Sequence, residues 1–216
     1  MQRETASIIR LTLLFLVFGL FSNLSMAQDM RYGVTGGINL STLNFKVSSN
    51  IDATGSFEPG FSVGGYVDKK LSGSFSMQVE ALLAYHQTSG SYTITPGSQP
   101  VTVSEEIEAF LIELPAFIRM DNPFNFTQPV HLLGGVSLGY VLNAKRNSDY
   151  FTQSSEKITE DLTTPFYFGI SGGFGVDFNS FGVNARYTHG LSNFYDIGEG
   201  SVKGRHFTLQ LIYYIN

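Results

Sequence analysis

The last segment of the chain alternates. Phe207, Leu209, Leu211, Tyr213 and Ile215 share one parity, and His206, Thr208, Gln210 and Asn216 the other, with Ile212 and Tyr214 as bulky exceptions. A period of two belongs to the β-strand, because successive side chains leave opposite faces of the pleat. The same period runs through Phe181, Val183, Ala185, Tyr187, His189 and Leu191. It also runs through Phe166, Phe168, Ile170, Gly172, Phe174, Val176 and Phe178. Strands of soluble sheets usually have about 5–6 residues. Runs of this length with one continuous apolar face instead match a tilted, membrane-crossing strand of about 9–11 residues.

Eight such runs are expected, near residues 31–42, 57–70, 75–88, 106–120, 129–143, 165–178, 181–192 and 204–216. Their connections alternate in length. Residues 71–74, 121–128 and 179–180 are short, whereas 43–56, 89–105, 144–164 and 193–203 are long and polar. Short turns on one side and long loops on the other mark an outer-membrane barrel. The expected fold is therefore all-β: an eight-stranded antiparallel up-and-down transmembrane β-barrel over residues 28–216. Aromatic rings fall on the apolar parity at both strand ends, as lipid interfaces require. Tyr32, Phe75, Phe178, Phe181 and Tyr213 lie near the short turns. Phe61, Tyr85, Phe110, Tyr140, Phe166, Tyr187 and Phe207 lie near the long loops.

Composition agrees with a lipid-facing surface. Charged residues make up 14% of the chain, against roughly 25% in soluble domains. Cysteine is absent, which excludes disulfides, thiolate catalysis and thiolate zinc sites. The net charge of −5 without basic runs argues against nucleic acid as a partner. Residues 1–27 read as a signal peptide. Arg3 and Arg10 precede the apolar run Leu11–Phe21, and Ser25 and Ala27 suit cleavage before Gln28.

Several segments resemble the PorT-like family of small outer-membrane β-barrel proteins. They are Gly33-Val34-Thr35-Gly36-Gly37-Ile38-Asn39-Leu40-Ser41, Ile112-Glu113-Leu114-Pro115, Gly139-Tyr140-Val141-Leu142, and Arg186-Tyr187 followed by Gly190-Leu191-Ser192-Asn193. The resemblance spans nearly all of 28–216 and implies an eight-stranded barrel in the outer membrane of a Gram-negative envelope.

The inward parity carries Gln78, Glu80, Glu113, Arg119, Asp177, Asn184, Arg186 and Gln210, together with Asp68. Eight strands enclose a lumen that side chains can fill, and charges there need partners. We expect a structural ion-pair network of Asp68, Glu80, Glu113, Arg119, Asp177 and Arg186, with Arg186 reaching Glu80, Glu113 or both. Inward glycines at 33, 37, 64, 135, 139, 173 and 175 are expected to make room for these groups. Pro115 cannot donate to a ladder and signals a bulge or local unpairing. Catalytic, metal and cofactor residues are expected to be absent. No HExxH spacing occurs, and no two of His86, His131, His189 and His206 share a short ligand interval. His189, Ser192 and Asp196 are the sharpest enzymatic candidates, but no G-x-S-x-G elbow is present.

The favoured reading is a non-enzymatic outer-membrane barrel with four surface loops, serving envelope integrity, adhesion or a secretion complex. Its partners would be outer-membrane lipid, the barrel assembly machinery and envelope proteins. The alternatives are a soluble periplasmic lipocalin-like barrel binding an apolar ligand, and a small surface enzyme. A lipocalin would turn its apolar parity inward.

Overall fold

Alternating sequence produces long strands because each parity meets one environment along its whole length. The computed structural model describes residues 30–46, 53–94, 101–124, 129–148, 154–157, 165–192, 195–197 and 200–215. The signal-peptide segment 1–27 lies outside the described residues. Eight long strands are present: β1 (Met30–Lys46), β3 (Glu58–Ser72), β4 (Phe75–Ile94), β5 (Val101–Asp121), β6 (Val130–Ser148), β8 (Phe166–Phe178), β9 (Phe181–Gly190) and β11 (Gly200–Ile215). Three short strands lie between them: β2 (Ala53–Ser56), β7 (Ser154–Lys157) and β10 (Tyr195–Ile197).

The long strands follow the order β1-β3-β4-β5-β6-β8-β9-β11, and β1 pairs with β11 to close the ring. The neighbouring pairs from β3 round to β11, and the closing pair β1–β11, are antiparallel. The closing seam runs from Tyr32↔Ile215 to Lys46↔Ser201. Among the described residues no sheet edge is left along the wall, which is the condition for strands to stand in hydrocarbon.

The short turns have the chemistry that tight reversals need. Gly73 has φ +55° between the paired Ser72 and Phe75, a conformation glycine adopts without steric cost. Asn122 has φ 47° after β5, where asparagine is tolerated. Asn179-Ser180 joins the paired Phe178 and Phe181.

The long-loop end is more ordered than the sequence suggests. β4 and β5 remain paired as far as Ile94↔Val101, within the span expected to be a polar loop. β2 pairs with this extension of β4, β7 with the end of β6, and β10 with β11. Polar β-ribbons satisfy their backbone across strands and do not need an apolar face.

The radial polarity is inverted relative to a soluble domain. Phe61, Leu83, Ile118, Leu138, Phe168, Phe174 and Leu211 are among the exposed large apolar side chains. Among the described residues, 21 buried side chains are polar or charged and 13 are apolar. This overturns the lipocalin alternative, whose apolar parity would face inward. The outward rings form contacting bands. Phe61, Tyr85 and Phe110 are neighbours at one end, and Phe181 and Tyr213 at the other. Phe75 and Tyr85 are ten residues apart on β4, about 34 Å along the strand. At about 40° of tilt this becomes about 26 Å along the barrel axis, close to the apolar band of such proteins.

Pro115 produces local unpairing. The β4–β5 register is Val79↔Ala116 and then Leu82↔Glu113, so the ladder lapses beside Pro115 without shifting. The inward glycines serve two purposes. A Cβ at Gly64 or Gly135 would strike the backbone carbonyl of the adjacent strand, Ala81 O or Ala116 O respectively. These two admit close strand approach in a narrow barrel, not larger side chains as expected. At Gly173 the Ala185 carbonyl again comes first, with Arg186 Cγ behind it. At Gly175 the nearest atoms are Asn184 Oδ1 and His131 Nε2, ahead of the Val183 carbonyl, and there the expectation of making room holds.

Leu209 is 51% exposed on the outward face, between the aromatic bands. Leu209→Arg should therefore destabilise the protein by about 2–4 kcal/mol in a lipid bilayer, measured by equilibrium unfolding. A loss below about 0.5 kcal/mol would contradict its lipid-facing placement.

Candidate functional site

Parity directs polar side chains from every strand into the lumen, and the register stacks them in tiers. The lowest tier lies at the short-turn end. Arg119 donates from Nη2 to Asp177 Oδ2 (2.5 Å) and from Nε to Asp121 Oδ1 (2.6 Å). Tyr214 donates to Asp177 Oδ1 at 2.5 Å. Arg31 donates from Nη1 to Asp177 Oδ2 at 3.0 Å and pairs with Asp68 through Nη2. Its guanidinium also lies 4.9 Å from the Tyr214 ring centre. Asp177 thus joins two arginines and a tyrosine from three other strands. Arg31 was missed by the sequence reading. It has the inward parity of β1, but it stands at the strand's first turnward position, beside the end of the expected signal peptide.

The middle tier is centred on Glu80, which is 1% exposed. Arg186 Nη1 lies 2.9 Å from both Glu80 oxygens. Gln210 Nε2 donates to Oε2 at 2.9 Å and Gln78 Nε2 to Oε1 at 2.7 Å. The Arg186 guanidinium covers the Phe117 ring at 5.1 Å. A buried carboxylate is tolerated only when its lone pairs are met in this way. Nearby, the hydroxyls of Ser137, Ser171 and Thr188 form a chain of 2.8 and 2.9 Å. His131 is fully buried, with Nε2 2.8 Å from Asn184 Oδ1.

The upper tier lies toward the long loops. Glu113 is met by His86, whose Nε2 is 3.3 Å from Oε1. Of the two carboxylates expected for Arg186, the one it bonds is Glu80. Asp68, Arg119 and Asp177 come together through Arg31, and Glu113 stands apart from both groups. His86 and His206 face each other with ring centres 4.8 Å apart.

The enzymatic candidates acquire structural partners. Ser192 Oγ accepts from the Phe168 amide at 2.9 Å, and His189 Nδ1 lies 3.4 Å from the Tyr187 hydroxyl. The side chain of Asp196 lies outside the described residues.

The strands form a closed ring with lipid-compatible walls and a polar, packed lumen. The family model for the outer membrane protein beta-barrel domain matches residues 26–196. The chain belongs to this family. It is an integral protein of the outer membrane, embedded in the lipid bilayer. No curated protein matches the sequence. Among solved structures it is similar to Ail, the attachment invasion locus protein of Yersinia pestis, at 14% identity and TM-score 0.47, covering 87% of this chain and 100% of that one. It is also similar to Neisserial surface protein A at 12% identity and TM-score 0.43, covering 84% and 96%. For OprG of Pseudomonas aeruginosa the values are 11% and 0.41, covering 87% and 94%. The strand pairing described above, not these similarities, carries the account of the fold.

The Glu80 tier can be tested directly. Arg186→Ala leaves a buried carboxylate without its cation and should cost about 3–5 kcal/mol. Arg186→Ala combined with Glu80→Gln should cost less than Arg186→Ala alone, because the stranded charge is gone. Double-mutant-cycle unfolding in detergent checks this, and additive effects would remove the pair.

Proposed function

We propose that this outer-membrane barrel is non-enzymatic and of the PorT-like kind, with a lumen plugged by its own ion pairs. In this reading it serves the envelope through its long-loop end, in integrity, adhesion or a secretion complex. The observation that carries the reading is Glu80. A carboxylate near mid-lumen, held by Arg186 of β9, Gln210 of β11 and Gln78 of its own strand, occupies the path a solute would take. With Phe117 beneath Arg186 and Tyr66 against Tyr214, the narrow interior is filled by side chains. Asp68, Glu80, Glu113, Arg119, Asp177 and Arg186 have a structural role in this account.

The outward-projecting β4–β5 ribbon supports a surface role. It runs nine pairs beyond Tyr85↔Phe110, to Ile94↔Val101, or about 30 Å of strand past the aromatic band. Such a projection can present backbone and polar side chains clear of the lipid headgroups. Residues 1–27 act as the cleaved signal peptide, and the assembly machinery inserts the chain. Ser192 and His189 do not supply a nucleophile and base in this reading, because their bonds serve Phe168 and Tyr187.

Fractionation and conductance test the proposal together. The mature chain should sediment with outer membranes and change gel mobility on boiling, as folded barrels do. In planar bilayers the purified protein should give no large, steady conductance. Porin-like conductance would overturn the plug.

A further inference from the structure

The upper lumen contains an arrangement that the plug does not explain. Asn39 Nδ2 donates to the Tyr85 carbonyl at 3.2 Å, which turns its Oδ1 toward Ser41. The Ser41 hydroxyl donates to that oxygen at 3.1 Å. Its single hydrogen is thereby used, so at 2.6 Å from His86 Nδ1 the Ser41 oxygen accepts. The chain of donors places a hydrogen on Nδ1, which in the neutral ring leaves a lone pair on Nε2. That lone pair faces Glu113 Oε1 at 3.3 Å, and neither atom has a hydrogen-bond partner. With the ring neutral these two buried acceptors repel each other, and either a proton on Nε2 or a metal ion between them removes the repulsion.

His206, on β11, completes the group. One ligand atom from each of His86, Glu113 and His206 lies within 4.8 Å of the others. Glu113 and His206 are buried. A cavity of about 50 Å³ adjoins them, lined also by Ser41, Thr88, Tyr167 and Arg205. That is space for about three waters. Tetrahedral zinc has bonds of about 2.0–2.2 Å to nitrogen and oxygen, which places neighbouring ligand atoms about 3.4 Å apart. The His86–Glu113 separation already meets this, and His206 lies within 4.8 Å of both. Ser41 stands where metal-binding histidines keep a second hydrogen-bond partner that orients the ring. Of the two cations nearby, Arg186 is bound to Glu80, while Arg205 lines the cavity.

We propose that His86, Glu113 and His206 bind a divalent first-row transition metal, with zinc as the reference ion and water in the open position. Two imidazoles and a carboxylate suit such ions better than calcium or magnesium, which take oxygen ligands. The ion would tie β4, β5 and β11 together near the long-loop end of the lumen.

The test uses the purified, metal-stripped, folded barrel in detergent. Calorimetric titration with Zn²⁺ should show one equivalent bound per chain, and Co²⁺ should give the visible absorption of a tetrahedral nitrogen–oxygen site. Ser41→Ala should weaken zinc by about 10–100-fold, and His206→Ala by more. His189→Ala, on the outward face, should leave the titration unchanged. Heat-dependent gel mobility establishes that each variant is folded. Absence of stoichiometric Zn²⁺ binding by the folded native chain would overturn the proposal, whatever the variants do. Unchanged affinity in folded His206→Ala or Glu113→Gln would overturn it equally. A simple His86–Glu113 ion pair gives the first of these results.

Discussion

A strand in hydrocarbon has no water to meet its N–H and C=O groups, so the pairing of β1 with β11 is what the rest of the structure depends on. Fifteen consecutive pairings, from Tyr32↔Ile215 to Lys46↔Ser201, close the ring. Closure with eight long strands makes the interior narrow. One parity must then meet lipid and the other a lumen little wider than its own side chains. The exposed Leu209 and Leu211 and the buried Gln210 and Ile212 of β11 are both consequences of that division.

The narrow lumen decides how charge is handled. Asp177 gathers Arg31, Arg119 and Tyr214, and Glu80 gathers Arg186, Gln78 and Gln210. Asp177 is met wholly by donors from distant parts of the chain, and Glu80 by the distant Arg186 and Gln210 together with Gln78 of its own strand. These contacts fix the relative position of strands whose lipid faces are interchangeable apolar surfaces, because a one-residue slip would move a carboxylate into hydrocarbon. Glycine at 64, 135 and 173 permits the strand approach, and glycine at 175 leaves volume for Asn184 and His131. The wall and its contents are thus set together.

Much of this was legible in the sequence, because parity is a local property. The eight strands, the position of the short turns, the aromatic bands and the inward direction of Glu80, Glu113, Arg119, Asp177 and Arg186 all follow from the period of two. Angular position around the ring does not. Which carboxylate Arg186 meets depends on register across several strands, and the sequence left Glu80 and Glu113 equivalent. The same limit hid the approach of His86, Glu113 and His206. Their intervals along the chain carry no ligand signature, although all three share the inward parity. The ribbon extension of β4 and β5 escaped detection for a different reason. Outside the membrane neither face is required to be apolar, so the alternation that marks a strand fades while the backbone pairing continues.

An outer-membrane location, a packed lumen and a projecting polar ribbon form a consistent whole only if the assigned parity is right along the full height of the wall. The chain contains no cysteine, so single cysteines placed in turn at positions 207–214 report their own surroundings. With a spin label on each and a paramagnetic relaxant dissolved in the lipid, collision rates should be high at 207, 209, 211 and 213. They should be low at 208, 210, 212 and 214. A profile without a period of two, or with its phase reversed, would contradict the barrel described.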